Sequence, residues 1–225
     1  MITRYGYDVF FTVTTICVVV IVLALLFVEP RFLRWLLAAA AGVLFLLTLY
    51  FFRDPDRTTP AGDALVIAPA DGTIIQIKHV DEREYLHGPA TLVSIFMSPL
   101  NVHVNRTPVA GTVGYTRYVA GEYFAAFEEK ASEKNEQMII GLENPAGRVL
   151  FKQIAGFLAR RIVCTLKPGD TVRAGERFGM IKFGSRVDVF LPATATVRVT
   201  IGQKMVAGET VLAQLPSTTV ESKSL

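Results

Sequence analysis

Two long apolar runs near the start of the chain constrain it more than any other feature. Val9–Val28 has only Thr12, Thr14 and Thr15 as polar interruptions, and Trp35–Phe52 carries no charge. Each run is long enough to cross a hydrocarbon layer of about 30 Å. A secretory signal would end in a small-residue cleavage site and then turn polar. Here a second apolar run follows Glu29-Pro30-Arg31, which predicts a transmembrane helical hairpin over residues 1–52. Tyr5, Tyr7, Trp35, Tyr50 and Arg53 are its interfacial anchors. The hairpin returns both its ends to one side of the membrane. Arg4, Arg53 and Arg57 on that side are set against Arg31 and Arg34 in the loop, so charge alone does not choose the side.

Phe52-Arg53-Asp54-Pro55-Asp56-Arg57 reads as a charged, proline-broken exit, and residues 53–225 are long enough for one domain with its own core. That domain reads as mostly β with minor helix. Short β-branched runs recur at Leu65–Ile67, Thr73–Ile77, Thr91–Phe96, Val109–Tyr118, Gln137–Leu142, Val149–Phe151, Ile162–Cys164, Phe178–Phe183, Val187–Leu191 and Thr194–Ile201. Gly156–Arg161 is expected as a helical turn, and Gly121–Lys134 as a helix or a loop. Many short strands favour a sandwich or barrel-like fold. Internal repetition points the same way. Pro69-Ala70-Asp71-Gly72-Thr73, Pro108-Val109-Ala110-Gly111-Thr112 and Pro192-Ala193-Thr194-Ala195-Thr196 share one pattern, and Gly169–Glu176 is echoed by Gly202–Glu209. Such turn-then-strand units resemble the hammerheads of biotinyl and lipoyl carriers. They define an alternative function: a non-enzymatic membrane-anchored carrier or adaptor, with Lys182 as the modified lysine. Against it, Lys182 lies between Ile181 and Phe183, whereas a carrier lysine sits in an exposed turn.

A net charge of +3 is too small to imply nucleic acid and is compatible with weak attraction to anionic lipid. Cys17 lies inside an apolar run and Cys164 in the β domain, so no disulfide framework and no metal-type spacing is expected. That fits a cytosol-facing domain. His79 and His87 fall in the polar stretch Lys78–Gly88, read as a solvated loop. Asp71 in Pro-Ala-Asp-Gly is an ordinary turn former by default, and His103 by itself reads as a hydrogen-bonded structural histidine. The Gly184-Ser185 step, just before the alternating Val187, Val189 and Leu191, reads two ways. It is a turn with a solvated serine, or a place where a hydroxyl attacks the preceding carbonyl.

Taken in order, Phe51-Phe52-Arg53-Asp54-Pro55, Pro69-Ala70-Asp71-Gly72, Ser98-Pro99-Leu100-Asn101-Val102-His103 and Phe183-Gly184-Ser185-Arg186-Val187-Asp188 resemble the phosphatidylserine decarboxylases, in their short membrane-anchored bacterial form. The resemblance covers nearly the whole chain. It implies a proenzyme that cuts itself between Gly184 and Ser185, giving a β chain of residues 1–184 and an α chain of residues 185–225. Ser185 becomes a pyruvoyl group, the covalent cofactor, which takes phosphatidylserine as a Schiff base and releases phosphatidylethanolamine after loss of carbon dioxide. Asp71 and His103 are implied as the orienting acid and the base that activate Ser185. Longer members carry a second histidine three residues on, where this chain has Arg106. His103 then serves both steps, or Arg106 holds the substrate carboxylate or phosphate. The implied partners are phosphatidylserine, the bilayer and the two chains of one precursor, with homo-oligomerisation left open. No metal and no nucleic acid are implied. The implied place is the cell (inner) membrane with the domain facing the cytoplasm. Tyr123–Lys130, which mixes aromatics with charge, is expected either to dip into the interface or to form a surface helix over Phe124 and Phe127.

Overall fold

The computed structural model describes residues 1–122, 124, 134–156, 161–182 and 185–216. Contacts divide the chain into two compact units, Met1–Pro55 and Asp56–Leu225. The first unit is a pair of helices, α1 (Tyr7–Phe27) and α2 (Arg31–Phe51), preceded by a short 3-10 turn at Arg4–Gly6. Both helices are long and apolar enough to cross a membrane. Pro30, which lacks an N–H, caps the second helix, and the Val28 carbonyl accepts from Arg34 Nε at 3.0 Å. The side chains that this unit buries include the small ones of Cys17, Ala24 and Ala41. Small side chains at a helix–helix contact let the two backbones approach closely. The ends meet at an Ile2–Arg53 bridge, with Thr3 N–H donating to the Phe52 carbonyl at 2.9 Å.

The second unit is antiparallel β. Its strands are β1 (Leu65–Ile67), β2 (Gly72–Glu82), β3 (Gly88–Met97), β4 (Val104–Arg106), β5 (Gly111–Val119), β6 (Gln137–Asn144), β7 (Gly147–Ala155), β8 (Ile162–Cys164), β9 (Thr171–Val172), β10 (Arg177–Ile181), β11 (Ser185–Pro192), β12 (Thr196–Val197), β13 (Lys204–Met205) and β14 (Val211–Gln214). One eight-stranded sheet runs β13-β2-β3-β11-β7-β6-β5-β9, and two three-stranded sheets run β1-β14-β12 and β4-β10-β8. Period-two patterning decides the faces. Val187, Val189 and Leu191 of β11 enter the main core with Val93 and Ile95 of β3 and Phe151 of β7. That core also holds Val66, Leu212 and Ala213 from one small sheet and Phe178 and Ile181 from the other, so both small sheets pack on the same face of the large one.

The two echoed segments make matching bonds. Gly169 N–H donates to Val113 O and Gly202 N–H to Ile74 O, both at 2.8 Å. Six residues on in each, Gly175 N–H reaches Thr107 O at 2.8 Å and Gly208 N–H reaches Ala68 O at 2.9 Å. All four glycines have φ between 75° and 94°, a region that side chains with a Cβ avoid.

Some boundaries differ from the sequence expectation. Lys78–Glu82, read as loop, continues β2, because Ala90–Leu92 of β3 offers a ladder that outweighs polar composition. His79 therefore lies on a strand beside Thr91 Oγ1, at 3.3 Å, while His87 sits in the hairpin turn with φ 57°. Thr194–Ile201 contributes only Thr196–Val197 as strand, and β11 begins at Ser185 itself. Most of Gly121–Lys134, most of Tyr123–Lys130 and the middle of Gly156–Arg161 lie outside the described residues.

Candidate active site

Ser185 is the first residue of the central strand β11. It faces Met97, the last residue of β3, on one side and Ala155, the last residue of β7, on the other. It is fully buried, on the core side of the sheet, and its Oγ donates to Met97 Sδ at 3.3 Å. A thioether is a weak acceptor, so the hydroxyl is not committed to a strong bond. The same sulfur lies 3.8 Å from Asn105 Nδ2, and Asn105 Oδ1 accepts from Gln153 Nε2 at 2.8 Å. Asn105 and Gln153 are fully buried, and Gln153 Oε1 has no hydrogen-bond partner among the described residues. Gly184, the other half of the expected scissile step, lies outside the described residues, as does Phe183.

His103 reaches this end of the sheet through a tight turn. After Met97, Asn101 N–H donates to Ser98 O at 3.0 Å and Ser98 N–H to Asn101 Oδ1 at 2.9 Å, which reverses the chain into β4. β4 pairs with β10 through Val104 and Met180. His103 is therefore one step further along, beside the end of the strand that leads through Ile181 and Lys182 toward Ser185. It is fully buried, with Nδ1 2.9 Å from the Asn101 carbonyl. A carbonyl only accepts, so Nδ1 carries the proton, and in the neutral ring Nε2 holds the lone pair.

Asp71 lies at the same end, one residue before β2. The β2–β3 ladder pairs Thr73 with Phe96 and, continued, sets Gly72 level with Met97 and hence with Ser185. Its carboxylate receives Arg57 Nη2 at 3.2 and 3.4 Å and Ala207 N–H at 2.8 Å. Arg57 also reaches Glu209 at 3.6 Å. The recorded partners of Asp71 are thus Arg57 and Ala207, and those of the His103 ring include the Asn101 carbonyl. Arg106 ends β4 and is 5% exposed, with Nη1 donating to Gly175 O at 2.9 Å and its Cδ packed under Gly208. Its backbone N–H and the Asn105 amide both point at Pro69 O, which ties β4 to the Asp71 turn.

Arg57, Met97, Asn105 and Gln153 carry no sequence signal that marks them for this cluster. Arg57 reads only as a membrane-flanking charge, and the others become neighbours only through strand pairing. Cys164 is no competing nucleophile, since burial pushes its thiol up to about 11. Among the described residues no group of His, Cys, Asp and Glu is placed to hold a metal. Lys182 is 4% exposed, unlike the displayed lysine of a carrier.

The β domain buries a serine, a histidine and an aspartate at one end of its main sheet, and comparison with known proteins says to which class of enzyme it belongs. The family model for phosphatidylserine decarboxylase matches residues 44–213. The phosphatidylserine decarboxylase proenzyme of Chlorobium phaeobacteroides is 49% identical over 212 residues, covering 94% of this chain and 99% of the relative. That of Chlorobaculum tepidum is 48% identical over 214 residues, covering 95% and 97%. The chain belongs to the phosphatidylserine decarboxylase family.

Proposed function

We propose that the chain is a proenzyme that cuts itself between Gly184 and Ser185 and then decarboxylates phosphatidylserine to phosphatidylethanolamine. The observation that carries this reading is the buried Ser185 at the head of β11, with its hydroxyl against the Met97 sulfur and with the His103 and Asp71 segments at the same end of the sheet. Two relatives of nearly equal length are named as proenzymes of this activity, which supports it further.

In the first step Ser185 Oγ adds to the Gly184 carbonyl as its proton passes to His103 Nε2. The C–N bond breaks, leaving an ester to the Ser185 oxygen and a protonated amine on residue 185. Loss of the α proton expels Gly184 as a carboxylate, and water replaces the nitrogen, which leaves as ammonia. Residue 185 is then a pyruvoyl group. It fits the place: the serine Cβ becomes a methyl beside the Met97 thioether, and an apolar contact replaces a weak hydrogen bond. The pyruvoyl group supplies a carbonyl that takes the substrate amine and accepts the electron pair released as carbon dioxide leaves. His103 holds and returns a proton at the α carbon in this reading. Asp71, whose carboxylate accepts from Arg57 and the Ala207 N–H, is the acid that orients His103 in this reading. Arg106 serves the substrate carboxylate or phosphate in this reading. The two apolar helices anchor the chain in the cell membrane, with the β domain on the cytoplasmic side.

Purified full-length chain, incubated with phosphatidylserine in mixed micelles, is expected to release carbon dioxide and phosphatidylethanolamine. An intact chain that releases them at the same rate, or a cut chain that releases none, would contradict the proposal.

A further inference from the structure

The second residue past the expected cut is a buried arginine. Arg186 is 2% exposed and points to the sheet face opposite Ser185. Its Nε donates to Asp188 Oδ1 at 2.6 Å, and its Nη2 to Ser94 Oγ at 2.7 Å and Gln76 Oε1 at 3.1 Å. The side chain therefore ties β11 across β3 to β2, and Asp188 and Ser94 are fully buried with it. A buried ion pair is often no more stabilising than apolar residues of the same volume, so stability alone is a poor reason for one here.

Processing supplies a better reason, and the inference rests on the self-cleavage reading above. Once the Gly184–Ser185 bond is cut, residue 185 is a chain end, and chain ends fray unless tied down. Its nitrogen leaves as ammonia, so residue 185 can no longer donate an N–H to β3 or β7. Arg186 is then the first residue of the small chain with a full set of ladder groups, and its side chain is the first that grips the large chain. We infer that Arg186, held by Asp188, Ser94 and Gln76, is a positioning residue. It pins the new N-terminus into the sheet and so fixes the pyruvoyl carbonyl against its substrate.

The test is the double substitution Arg186→Met with Asp188→Asn, which removes both charges together and strands neither. It is made in the full-length chain and, separately, in a Ser185→Ala chain that stays uncut. Cleavage is read on a denaturing gel, kcat and KM on phosphatidylserine micelles, and amide exchange on the peptide covering residues 186–192. The variant is expected to be cut, with kcat lower by on the order of 10–100-fold and KM within about threefold. Exchange protection of that peptide is expected to fall in the cut variant and to stay unchanged in the uncut background. Parental kcat and protection in the cut variant would overturn the inference. So would equal loss of protection in the uncut chain, or failure of the variant to be cut, since either would place the role of Arg186 before processing. Should the double variant not fold, Ser94→Ala removes one grip alone; a smaller fall in kcat at unchanged KM supports the pin, and unchanged kcat overturns it. If the parent chain itself is never cut, the processing reading fails first, and the gel shows this before any variant is assayed.

Discussion

Ser185 opens β11 directly opposite Met97, the residue that closes β3, and its hydroxyl meets the Met97 sulfur at 3.3 Å. The contact gives the hydroxyl a soft, weakly accepting wall and leaves its proton for a stronger base. Met97 is fully buried in the main core, so its two roles, packing and cradling, can be separated by substitution. Met97→Leu nearly conserves volume and is expected to cost under about 1.5 kcal/mol while cleavage continues. Met97→Ala opens a cavity and is expected to cost about 2–5 kcal/mol. Thermal melts in detergent and a time course of cleavage measure both. A Met97→Leu chain that folds and is never cut would mean that the sulfur acts in the chemistry.

His103 presents Nε2 as its basic atom because the Asn101 carbonyl fixes the proton on Nδ1. A general base of this kind contributes on the order of 10²–10⁴-fold. His103→Gln is expected to slow cleavage by that factor without unfolding the domain, as followed by gel over hours after synthesis. Cleavage at the parental rate would remove His103 from the step.

Arg57 is the cation of Asp71, and their side chains are 15% and 12% exposed. Arg57→Leu leaves a nearly buried carboxylate with the Ala207 N–H, which is expected to cost about 1–3 kcal/mol and to slow cleavage. Arg57→Lys keeps the charge but loses the planar fork, so an intermediate effect is expected. Melts and cleavage time courses on both variants decide. Equal behaviour of Leu and Lys would show that the charge at position 57 is irrelevant.

How much of this was legible in the sequence differs between fold and site. The pair of long helices was legible because its two apolar runs are long and nearly uninterrupted, and nothing else in the sequence has such runs. The strands of the core were legible where Val187, Val189 and Leu191 alternate, since period two survives any tertiary setting. Lys78–Glu82 was not, because its pairing with β3 is decided by the partner strand and not by its own residues. Ser185, His103 and Asp71 stood out only together with the neighbouring motifs, as members of a family pattern. Of their actual partners, Asn101 lies inside the His103 motif, Met97 needed the ladder between β3 and β11, and Arg57 needed the fold. Arg57 sits fourteen residues before Asp71, and no spacing rule connects them.

The hairpin turn between β2 and β3 sets the acid stability expected of the domain. Burial pushes the Glu82 carboxyl up, but backbone N–H groups of Leu86, Tyr85 and Glu84 at 2.6, 2.9 and 2.8 Å hold it below its ordinary value of 4.5, helped by nearby Lys152. A folded value below the unfolded one means that the stabilisation is fully present above 4.5 and is lost as pH falls through the folded value. Glu82→Gln is expected to cost about 1–3 kcal/mol at pH 7, and the gap to the parent should shrink in acid. Denaturant melts of both proteins at neutral and acid pH measure it. A gap that does not change with pH would contradict this account of the turn.

The central claim is that Ser185 is both the place of the cut and the source of the carbonyl. Intact-mass measurement of the purified chain, beside a Ser185→Ala chain, tests it most directly. The account predicts two pieces, residues 1–184 with an ordinary carboxyl end and residues 185–225 lighter by one ammonia than simple hydrolysis would leave, and a single uncut mass for Ser185→Ala. A single full-length mass in a preparation that decarboxylates phosphatidylserine, or a small piece that begins with an unmodified serine, would contradict it.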